Sequence, residues 1–282
     1  MMASPFVHDF TDKVVVVTGA GGILCSFFAK EFARAGAKVA LLDLNEEAAQ
    51  GYADEIVEAG GIAKAYKANV LEKESLQSAK EKVVAELGAV DILVNGAGGN
   101  NPRATTDNEY HETDLPEGTK SFFDLEQSGI EFVFNLNFLG TVLPTQVFAE
   151  DMVGRAGANI INISSMNGFT PLTKIVAYSG AKAAISNLTE WLAVHFSHVG
   201  IRVNAIAPGF LVSKQNEKLL FNEDGSPTER AGKILNGTPM GRFGEPNELI
   251  GGLLFLADEQ ASSFVNGVVL PIDGGFNAYS GV

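Results

Sequence analysis

Three side chains in the second half of the sequence have the types and the spacing needed to exchange a proton with an oxygen atom. Tyr178 and Lys182 are four residues apart at the start of a predicted helix, so their side chains share one face. A phenol is a poor base at neutral pH, and a neighbouring ammonium lowers its pKa by favouring the phenolate. Ser165, which ends the preceding strand, can hydrogen-bond the same oxygen. These residues predict an acid–base site, and an exposed helix face is the alternative for Tyr178 and Lys182.

A second group of residues is suited to hold a phosphate. Thr18, Gly19, Gly21 and Gly22 connect the first predicted strand to the first helix, where backbone N–H groups and the helix dipole attract an anion such as a pyrophosphate. Asp43 ends the second strand about 20 residues further on, where a carboxylate accepts hydrogen bonds from ribose hydroxyls and repels a 2′-phosphate. These positions predict a dinucleotide site that favours NAD over NADP. The alternative is that Asp43 caps the following helix.

Small and amide residues also follow the third and fourth predicted strands. Asn69 and Val70 follow the third strand, and NGAG at Asn95 to Gly98 follows the fourth. The carboxyl ends of parallel strands meet at one sheet edge, where α/β proteins bind their ligands. An Asn at such a place can also simply form a turn. Three successive strand ends of this kind favour a flat, narrow cofactor crevice.

The elements that must position these residues alternate regularly along the chain. Short β-branched runs such as KVVVVT at 13–18 suit strands that are buried on both faces of a parallel sheet. The sequence predicts strands at 13–18, 38–43, 63–68, 90–95, 159–164, 202–206 and 267–271, and helices at 23–35, 46–58, 72–87, 130–153, 176–199 and 246–257. This order predicts a single-domain α/β fold over residues 1–282. We expect a Rossmann-type, doubly wound, seven-stranded parallel sheet with helices on both faces.

Two irregular segments interrupt this alternation. Residues 99–129 form a polar stretch that is long for a connection in a compact domain, and such segments are more often functional than idle. Residues 214–240 predict short helices at most. We interpret the first segment as an insertion and the second as a possible substrate lid.

Composition excludes several classes of function. The net charge of −14 at pH 7 argues against broad binding to nucleic acid or to an anionic membrane. No apolar stretch reaches the roughly 20 residues that span a bilayer, and the first residues do not resemble a signal peptide, so we expect a cytoplasmic protein. Cys25 is the only cysteine, which leaves no intrachain disulfide or multi-cysteine metal site. His111, His195 and His198 lack an HExxH pattern, and we predict no metal.

The ordered motifs resemble those of the short-chain dehydrogenase/reductase family over essentially the whole chain. They are TG at 18–19 with GI at 22–23, NGAG at 95–98, NFLG at 137–140, NISS at 162–165, YSGAK at 178–182, RVNAIAPG at 202–209 and DGG at 273–275. Ser165 precedes Tyr178 by 13 residues, which is the spacing usual in that family. The resemblance implies hydride transfer between NAD(H) and a secondary alcohol or ketone.

The resemblance also implies a role for each matching residue. Tyr178 is the acid–base group, Lys182 lowers its pKa and holds the nicotinamide ribose, Ser165 orients the substrate, and Asn137 anchors a water of the proton relay. The dinucleotide contacts implied by the family extend to Ile23, Leu24, Leu44, Ala97, Pro208, Gly209, Leu211 and Ser213. Family members are commonly homotetramers built on the long helices and the last strand.

Two positions depart from the family pattern. The glycine loop reads TGAGGIL where the family has TGxxxGIG, so it is one residue shorter and Leu24 stands in place of the last glycine. Asn69 replaces the usual Asp that contacts adenine, and its amide can still hydrogen-bond the ring. The first departure alters the geometry of the pyrophosphate loop, and neither removes the chemistry.

A narrower likeness concerns the substrate. The segments TGAGGILCS, NGAGGNNPRATTDNEYHE, NLNFLGTVLPTQ, SSMNGFTPLTK and LLFNEDGS are similar to family members that reduce D-fructuronate to D-mannonate in hexuronate breakdown. A polyhydroxy acid needs amide or hydroxyl partners and one cation for its carboxylate. The predicted substrate residues are Asn100, Arg103, Ser165 and Asn167, with Asn101 beside them and Lys120, Lys174 and Lys214 as further cations.

Some alternatives remain open from the sequence. Arg103 can instead be a solvated loop charge. The substrate can be another sugar acid such as 5-ketogluconate, or the chain can be a non-catalytic protein that senses dinucleotides. The intact set of Asn137, Ser165, Tyr178 and Lys182 argues against that last function.

Overall fold

One parallel sheet runs through the structure, a computed structural model that describes residues 8–212 and 217–281. Its strand order is β3-β2-β1-β4-β5-β6-β7. The strands are β1 (Val14–Thr18), β2 (Lys38–Asp43), β3 (Ile62–Lys67), β4 (Ile92–Asn95), β5 (Asn159–Ile163), β6 (Arg202–Pro208) and β7 (Val269–Ile272). The order reverses between β1 and β4, and at such a switch point a doubly wound sheet opens a crevice at the carboxyl ends of its strands.

Helices cover both faces of this sheet. One face carries α1 (Ile23–Arg34), α2 (Glu46–Glu58) and α9 (Ile250–Ala257), whose buried side chains share one apolar cluster. The opposite face carries α3 (Lys73–Glu86), α5 (Gly140–Met152) and α6 (Val176–His195). The remaining helices are α4 (Gln127–Phe134), α7 (Glu217–Leu220), α8 (Glu229–Asn236) and α10 (Glu259–Ser262).

The central strand β1 shows how the sequence divides the core. Val15 and Val17 belong to the cluster under α1, whereas Val14 and Val16 belong to the cluster under α3, and all four are buried. Successive side chains of a strand point to opposite faces, so a continuous run of valines supplies apolar surface to both layers. The predicted fold class is confirmed.

Most predicted elements lie within a few residues of the observed ones. The bounds of β2 and α2 coincide with the prediction. The helix predicted at 130–153 begins earlier, at Gln127, and the strand predicted at 202–206 continues to Pro208. The short helix α10 was not predicted from the sequence, because its four residues give no periodic signal.

The helical stretch Gln127–Met152 combines α4, a π-helical turn at Asn135–Leu139 and α5. It is long and apolar enough to cross a membrane by length and composition alone, with a mean hydropathy of 1.3 in its most apolar window, so the expectation that no stretch reaches that length was wrong. Half of that window is buried inside the protein. Phe148 and Met152 pack in the cluster under α3, so in this fold the stretch forms a core helix.

The two irregular segments contact each other. Within 99–129, short 3₁₀ turns form at Pro102–Ala104 and Phe122–Asp124. The backbone N–H of Thr106 donates to the carbonyl of Lys174, just before α6, at 3.0 Å. Lys233 of α8 donates to Glu109 at 2.8 Å, and this bond lowers the pKa of Glu109. The insertion therefore joins the loop before α6 to the segment that carries α8.

Candidate active site

A large cleft opens at the carboxyl ends of the strands. Its volume is about 710 Å³, and residues that follow β1, β2, β3, β4, β5 and β6 line it. Ser165, Tyr178 and Lys182 lie in the same lining as the glycine loop and Asp43. The structure thus brings the predicted acid–base group and the predicted dinucleotide site together.

Tyr178 stands in the first turn of α6, where Ala177 and Ala181 on either side are buried. Burial raises the pKa of the Tyr178 phenol to about 12, and the hydroxyl of Ser165 opposes that rise through a hydrogen bond. A phenol with this pKa is protonated at neutral pH. Without other charges in the cleft, Tyr178 is therefore set to donate a proton to an oxygen.

Lys182 is one turn further along α6 and is almost fully buried. Its Nζ donates to the carbonyl oxygen of Ile163, at the end of β5, at 2.8 Å. Burial lowers the pKa of Lys182 to about 8. The ammonium is held 5.5 Å from the ring centroid of Tyr178, on the same face of the helix.

The relation between Tyr178 and Lys182 differs from the expectation in one respect. The sequence predicts that the ammonium lowers the pKa of the phenol, whereas burial dominates and raises it. The Nζ of Lys182 is directed to Ile163, and the same burial weakens its own hold on a proton. Lowering the phenol pKa in this site therefore requires a further positive charge beside the ring.

Ser165 follows β5 and begins a 3₁₀ turn at Met166–Gly168. Its hydroxyl accepts a hydrogen bond from the backbone N–H of Asn167 at 3.2 Å. A Cβ at Gly168 would lie 3.0 Å from the carbonyl oxygen of Lys182, so glycine lets this turn pack on α6 more closely than a larger residue would. This packing of the turn on α6 fixes the position of Ser165 relative to Tyr178.

Asn137 lies in the π-helical turn and is fully buried. Its Nδ2 donates to the carbonyl oxygens of Gly99 at 2.7 Å and Val133 at 2.8 Å, and its Oδ1 accepts from the N–H of Gly99 at 3.2 Å. A Cβ at Gly98 would lie 2.6 Å from Asn137 Oδ1 and 3.3 Å from Lys182 Nζ. The side chain of Asn137 therefore holds the loop after β4 against Lys182. Both polar atoms of its side-chain amide are thus hydrogen-bonded to backbone groups.

The glycine loop is shaped by close backbone approach. Gly19 has a φ of 68°, and a Cβ there would lie 2.8 Å from the Cα of Ala97. The N–H of Gly21 donates to Asp43 Oδ2 at 2.9 Å, and the N–H of Asn45 donates to Oδ1 at 2.8 Å. The backbone of the shortened glycine loop therefore contacts the carboxylate of Asp43 directly. Asn45, rather than Asp43, caps α2 through its side chain.

Most of the predicted site residues line the cleft. The group comprises Gly19, Gly21, Gly22, Ile23, Leu24, Asp43, Leu44, Asn69, Val70, Ala97, Gly98, Ser165, Tyr178, Lys182, Pro208, Gly209 and Leu211. Asn95 does not line it, because its Nδ2 turns inward and donates to Thr145 and Asn162. Ser213 and Lys214 lie outside the described residues.

The predicted substrate residues, apart from Ser165, lie outside the cleft lining. Arg103 is half-exposed, 3.9 Å from the carboxylate of Glu126, and Asn100 donates to Thr105 at 3.1 Å. Asn167 is buried in the turn after Ser165. The further cations Lys120 and Lys174 line a separate cavity of about 200 Å³ in the insertion.

Several lining residues carry no signal in the sequence. Cys25 lines the cleft from α1, and its burial raises the pKa of the thiol to about 12, which leaves it unreactive. Phe210, Leu220, Arg230 and Ile234 line it from the region after β6. These residues are distant in sequence from the recognised motifs, so the sequence does not indicate that the fold brings them to the cleft. Within 8–212 and 217–281, no cluster of three or more His, Cys, Asp or Glu side chains is placed to hold a metal.

Comparisons with known proteins agree with this geometry. The family model described as short chain dehydrogenase matches residues 13–224. An uncharacterized oxidoreductase of Haemophilus influenzae is 68% identical over 275 residues, covering 98% of this chain and 96% of that protein. The uncharacterized oxidoreductase UxuB of Bacillus subtilis is 51% identical over 278 residues, covering 99% of each chain.

Solved structures resemble this fold closely. A Haemophilus influenzae protein that was crystallised with bound NAD, and is provisionally assigned as a D-mannonate oxidoreductase, has a TM-score of 0.96 at 68% identity, with 98% of each chain covered. A gluconate 5-dehydrogenase of Burkholderia cenocepacia, in complex with NADP and tartrate, has a TM-score of 0.83 at 28% identity, covering 98% of this chain and 100% of that one. With its sequence and its fold in agreement with these relatives, the chain belongs to the short-chain dehydrogenase family.

Proposed function

We propose that this chain is an NAD(H)-dependent oxidoreductase that interconverts the secondary alcohol and the ketone of a sugar acid, with D-mannonate and D-fructuronate as the pair. The observation that carries the proposal is the shared cleft, in which Ser165, Tyr178 and Lys182 stand beside a loop suited to a dinucleotide. Relatives support the class, since the 68% identical protein is an oxidoreductase.

The cleft has the features that a dinucleotide needs. Gly19 has no room for a Cβ because the backbone of Ala97 lies 2.8 Å from that position, so the glycine loop packs closely against the loop after β4. The first N–H groups of α1 have no partner within the helix, and Ile23 and Leu24 of that turn line the cleft. These groups would hold a pyrophosphate, and the carboxylate of Asp43 would accept the ribose hydroxyls.

The chain's own residues supply the proton in this reaction. When bound, the dinucleotide supplies a hydride to the carbonyl carbon or takes one from the alcohol carbon. In the reducing direction Tyr178, protonated because its pKa is about 12, donates its proton to the ketone oxygen, which becomes the hydroxyl. Ser165 hydrogen-bonds the same oxygen and stabilises the charge that develops on it.

Oxidation of the alcohol, the reverse reaction, depends on positive charge beside Tyr178. Oxidation of the alcohol requires Tyr178 to accept a proton, and a pKa of about 12 disfavours this. An oxidised dinucleotide carries a positive ring, which is the further charge that favours the phenolate. Lys182, held in place by Ile163, adds to the same effect while it stays protonated.

Asp43 supports NAD as the cofactor. A carboxylate at the end of β2 repels a 2′-phosphate, and the cleft lining places no lysine or arginine immediately after β2, where Asp43, Leu44 and Asn45 lie. The Haemophilus influenzae structure holds NAD.

The substrate assignment draws on the narrower sequence likeness and on the provisional name of that same Haemophilus influenzae protein. A second candidate is 5-ketogluconate, because a gluconate 5-dehydrogenase shares the fold with a TM-score of 0.83. Both candidates are keto forms of six-carbon sugar acids, so the catalytic residues serve either one. The difference between them must lie in the part of the cleft that contacts the acid.

We also propose that the protein works in the cytoplasm as a homotetramer. Large apolar side chains of the long helices are exposed on the single chain, among them Phe134, Leu139, Trp191 and Val194. Such surfaces commonly mark subunit interfaces. A mass by light scattering equal to four chains is expected, and a monomer at micromolar concentration would contradict the proposal.

The test of the proposed activity is NADH oxidation by purified protein with D-fructuronate, run beside 5-ketogluconate and tagaturonate. Turnover with D-fructuronate, and little with the other two, is the expected result. Turnover with 5-ketogluconate alone would keep the mechanism and replace the substrate. NADH binding without turnover of any of a wide panel of ketones would favour the dinucleotide-sensing function instead.

A further inference from the structure

Arg230 differs from every other arginine in the chain. It stands in the first turn of α8, is exposed, and lines the large cleft. Within the described residues it makes no hydrogen bond or ion pair, whereas the other five arginines all have partners. Those are Arg34 with Glu31, Arg103 with Glu126, Arg155 with Asp91, Arg202 with Ser262 and Arg242 with Glu248.

Lys182 is the only other cation in the lining of the cleft, as far as the described residues go. It is buried, its Nζ donates to Ile163, and its pKa is lowered to about 8. Lys182 is thus committed to the acid–base group. Arg230 is left as the charge available to an anionic part of a ligand.

The helix that carries Arg230 is fixed on its other sides. Ala231 and Ile234 of α8 are buried with Leu220 and Phe243. Lys233 pairs with Glu109 of the insertion at 2.8 Å. Ile234, one turn after Arg230, lines the same cleft, so the two side chains share the face that looks onto the ligand.

A guanidinium presents paired N–H groups that match a carboxylate or a phosphate. The pyrophosphate of a dinucleotide already has a binding position at the first turn of α1, whose residues Ile23 and Leu24 line the cleft. Apart from Lys182, Arg230 is the one described cation in the lining that a sugar-acid carboxylate can meet, because Arg103, Lys120 and Lys174 lie outside the lining. We infer that Arg230 binds the carboxylate of the substrate and makes the enzyme prefer keto acids to neutral ketoses.

This inference rests on the proposed function, and it replaces Arg103 with Arg230 as the residue that recognises the acid. In Arg103, the guanidinium bonds to Ser128 at 3.4 Å and lies near Glu126, so its charge is already partly matched. Substitution of Arg230 and substitution of Arg103 are therefore expected to give different results in the same measurement.

The experiment compares Arg230→Gln and Arg103→Gln with wild type on two ketones. D-Fructuronate carries the carboxylate, and D-fructose has a neutral CH₂OH group in its place. For Arg230→Gln we expect kcat/KM to fall about 10- to 100-fold with D-fructuronate and about twofold or less with D-fructose, because one charge-assisted pair is lost. Arg34→Gln, an exposed arginine of α1 far from the cleft lining, is the matched control.

Three results would overturn the inference. Equal losses with both ketones would show that Arg230 does not act through the carboxylate. A matching rise in the Kd for NADH, measured by fluorescence titration without substrate, would assign Arg230 to the cofactor phosphates. A loss confined to D-fructuronate in Arg103→Gln, with Arg230→Gln unchanged, would return the role to Arg103.

A binding measurement separates this inference from the proposed activity. If wild type reduces no keto acid, calorimetric titration of the NAD-loaded protein with D-mannonate and with its neutral counterpart D-mannitol still tests Arg230. Preference for D-mannonate in wild type and its loss in Arg230→Gln would support the inference although the activity had failed. Equal affinity of wild type for both ligands would overturn it.

Discussion

The cleft joins two regions that are held together in different ways. The floor consists of the carboxyl ends of β1, β4 and β5 and the first turns of α6, and buried amides and hydroxyls bind it internally. Asn95 donates to Asn162 at 2.9 Å, and Asn162 donates to Thr189 at 2.9 Å. The rim consists of residues 99–129 and 217–244. It is largely exposed, and its two segments meet through the ion pair of Glu109 and Lys233.

This difference between floor and rim corresponds to two tasks, proton transfer and substrate recognition. A proton donor and its supporting charge need fixed positions in a water-poor setting, where electrostatic interactions are strong. Recognition of a particular sugar acid needs side chains that can differ between relatives without disturbing the core. Tyr178 and Lys182 therefore belong to the floor, whereas Arg230 belongs to the rim. Substitutions in the floor should change rate or stability strongly, and substitutions in the rim should change substrate preference.

The largest expected effect tests whether the floor performs the chemistry. Tyr178→Phe removes the phenol oxygen and keeps the ring, so we expect kcat for ketone reduction to fall about 10³-fold or more while NADH still binds. Loss of NADH absorbance gives the rate, and thermal unfolding checks the fold. Substantial residual activity with an unchanged melting temperature would mean that another group donates the proton.

A stability measurement sharpens the picture of the floor. Burial lowers the pKa of Lys182 from 10.5 to about 8, so below about pH 8 the folded protein carries a buried ammonium at a cost that the unfolded chain lacks. Lys182→Met removes this cost, and the lost bond to Ile163 offsets part of the gain. We expect the free energy of unfolding to rise by about 1 to 3 kcal/mol below pH 8 while activity is lost.

The pH dependence of that difference follows from the same pKa. Between about pH 8 and 10.5 the unfolded lysine holds its proton more than the folded one does, so wild-type stability gains relative to the variant. Denaturant unfolding at several pH values should show the advantage of Lys182→Met shrinking across this window. A variant less stable than wild type below pH 8 would show that the bond to Ile163 outweighs the cost of burial.

A smaller effect is expected at the end of β2, on the cofactor side of the cleft. Asp43→Ala removes the carboxylate that meets the ribose, so we expect the ratio of kcat/KM with NADH to that with NADPH to fall about tenfold. Asp43 also accepts from Gly21 and Asn45, and Asp43→Asn keeps an acceptor there while removing the charge. Equal losses with both dinucleotides in both variants would contradict a role in choosing NAD.

The smallest expected effect belongs to the rim. Glu109→Gln weakens the exposed pair with Lys233, so we expect KM for the keto acid to rise about two- to threefold and kcat to stay unchanged. Because the pair is exposed, the rise should be smaller at high salt. Glu117→Gln, in the same insertion and without an ion pair among the described residues, is the matched control. A change in kcat of the size seen in Tyr178→Phe would break the division between floor and rim.

The floor was largely predictable from the sequence, and the rim was not. Local patterns identify β-branched strands, glycine turns, and the one-turn spacing of Tyr178 and Lys182, all of which depend on near neighbours. The role proposed for Arg230 depends on α8, which follows β6, lining the same cleft as residues that follow β1 and β2, and no local pattern encodes that placement. The sequence also could not tell the direction of the Asn95 side chain, because an amide at a strand end gives the same pattern whether it faces the cleft or, as here, points inward to Asn162.

Residues Asn135–Leu139 form a π-helical turn, so the number of residues in this part of the helix is constrained as well as their identity. A π turn holds one residue more than an α turn. Deleting a single residue there would let the turn become an α turn while the helix on either side stays nearly in phase, so Phe148 would remain in the core. The side chains of the turn itself would shift, and Asn137 would move away from Gly99. Among relatives, the stretch Gln127–Met152 should therefore vary by substitution at constant length, while insertions and deletions accumulate in the preceding loop at 99–126.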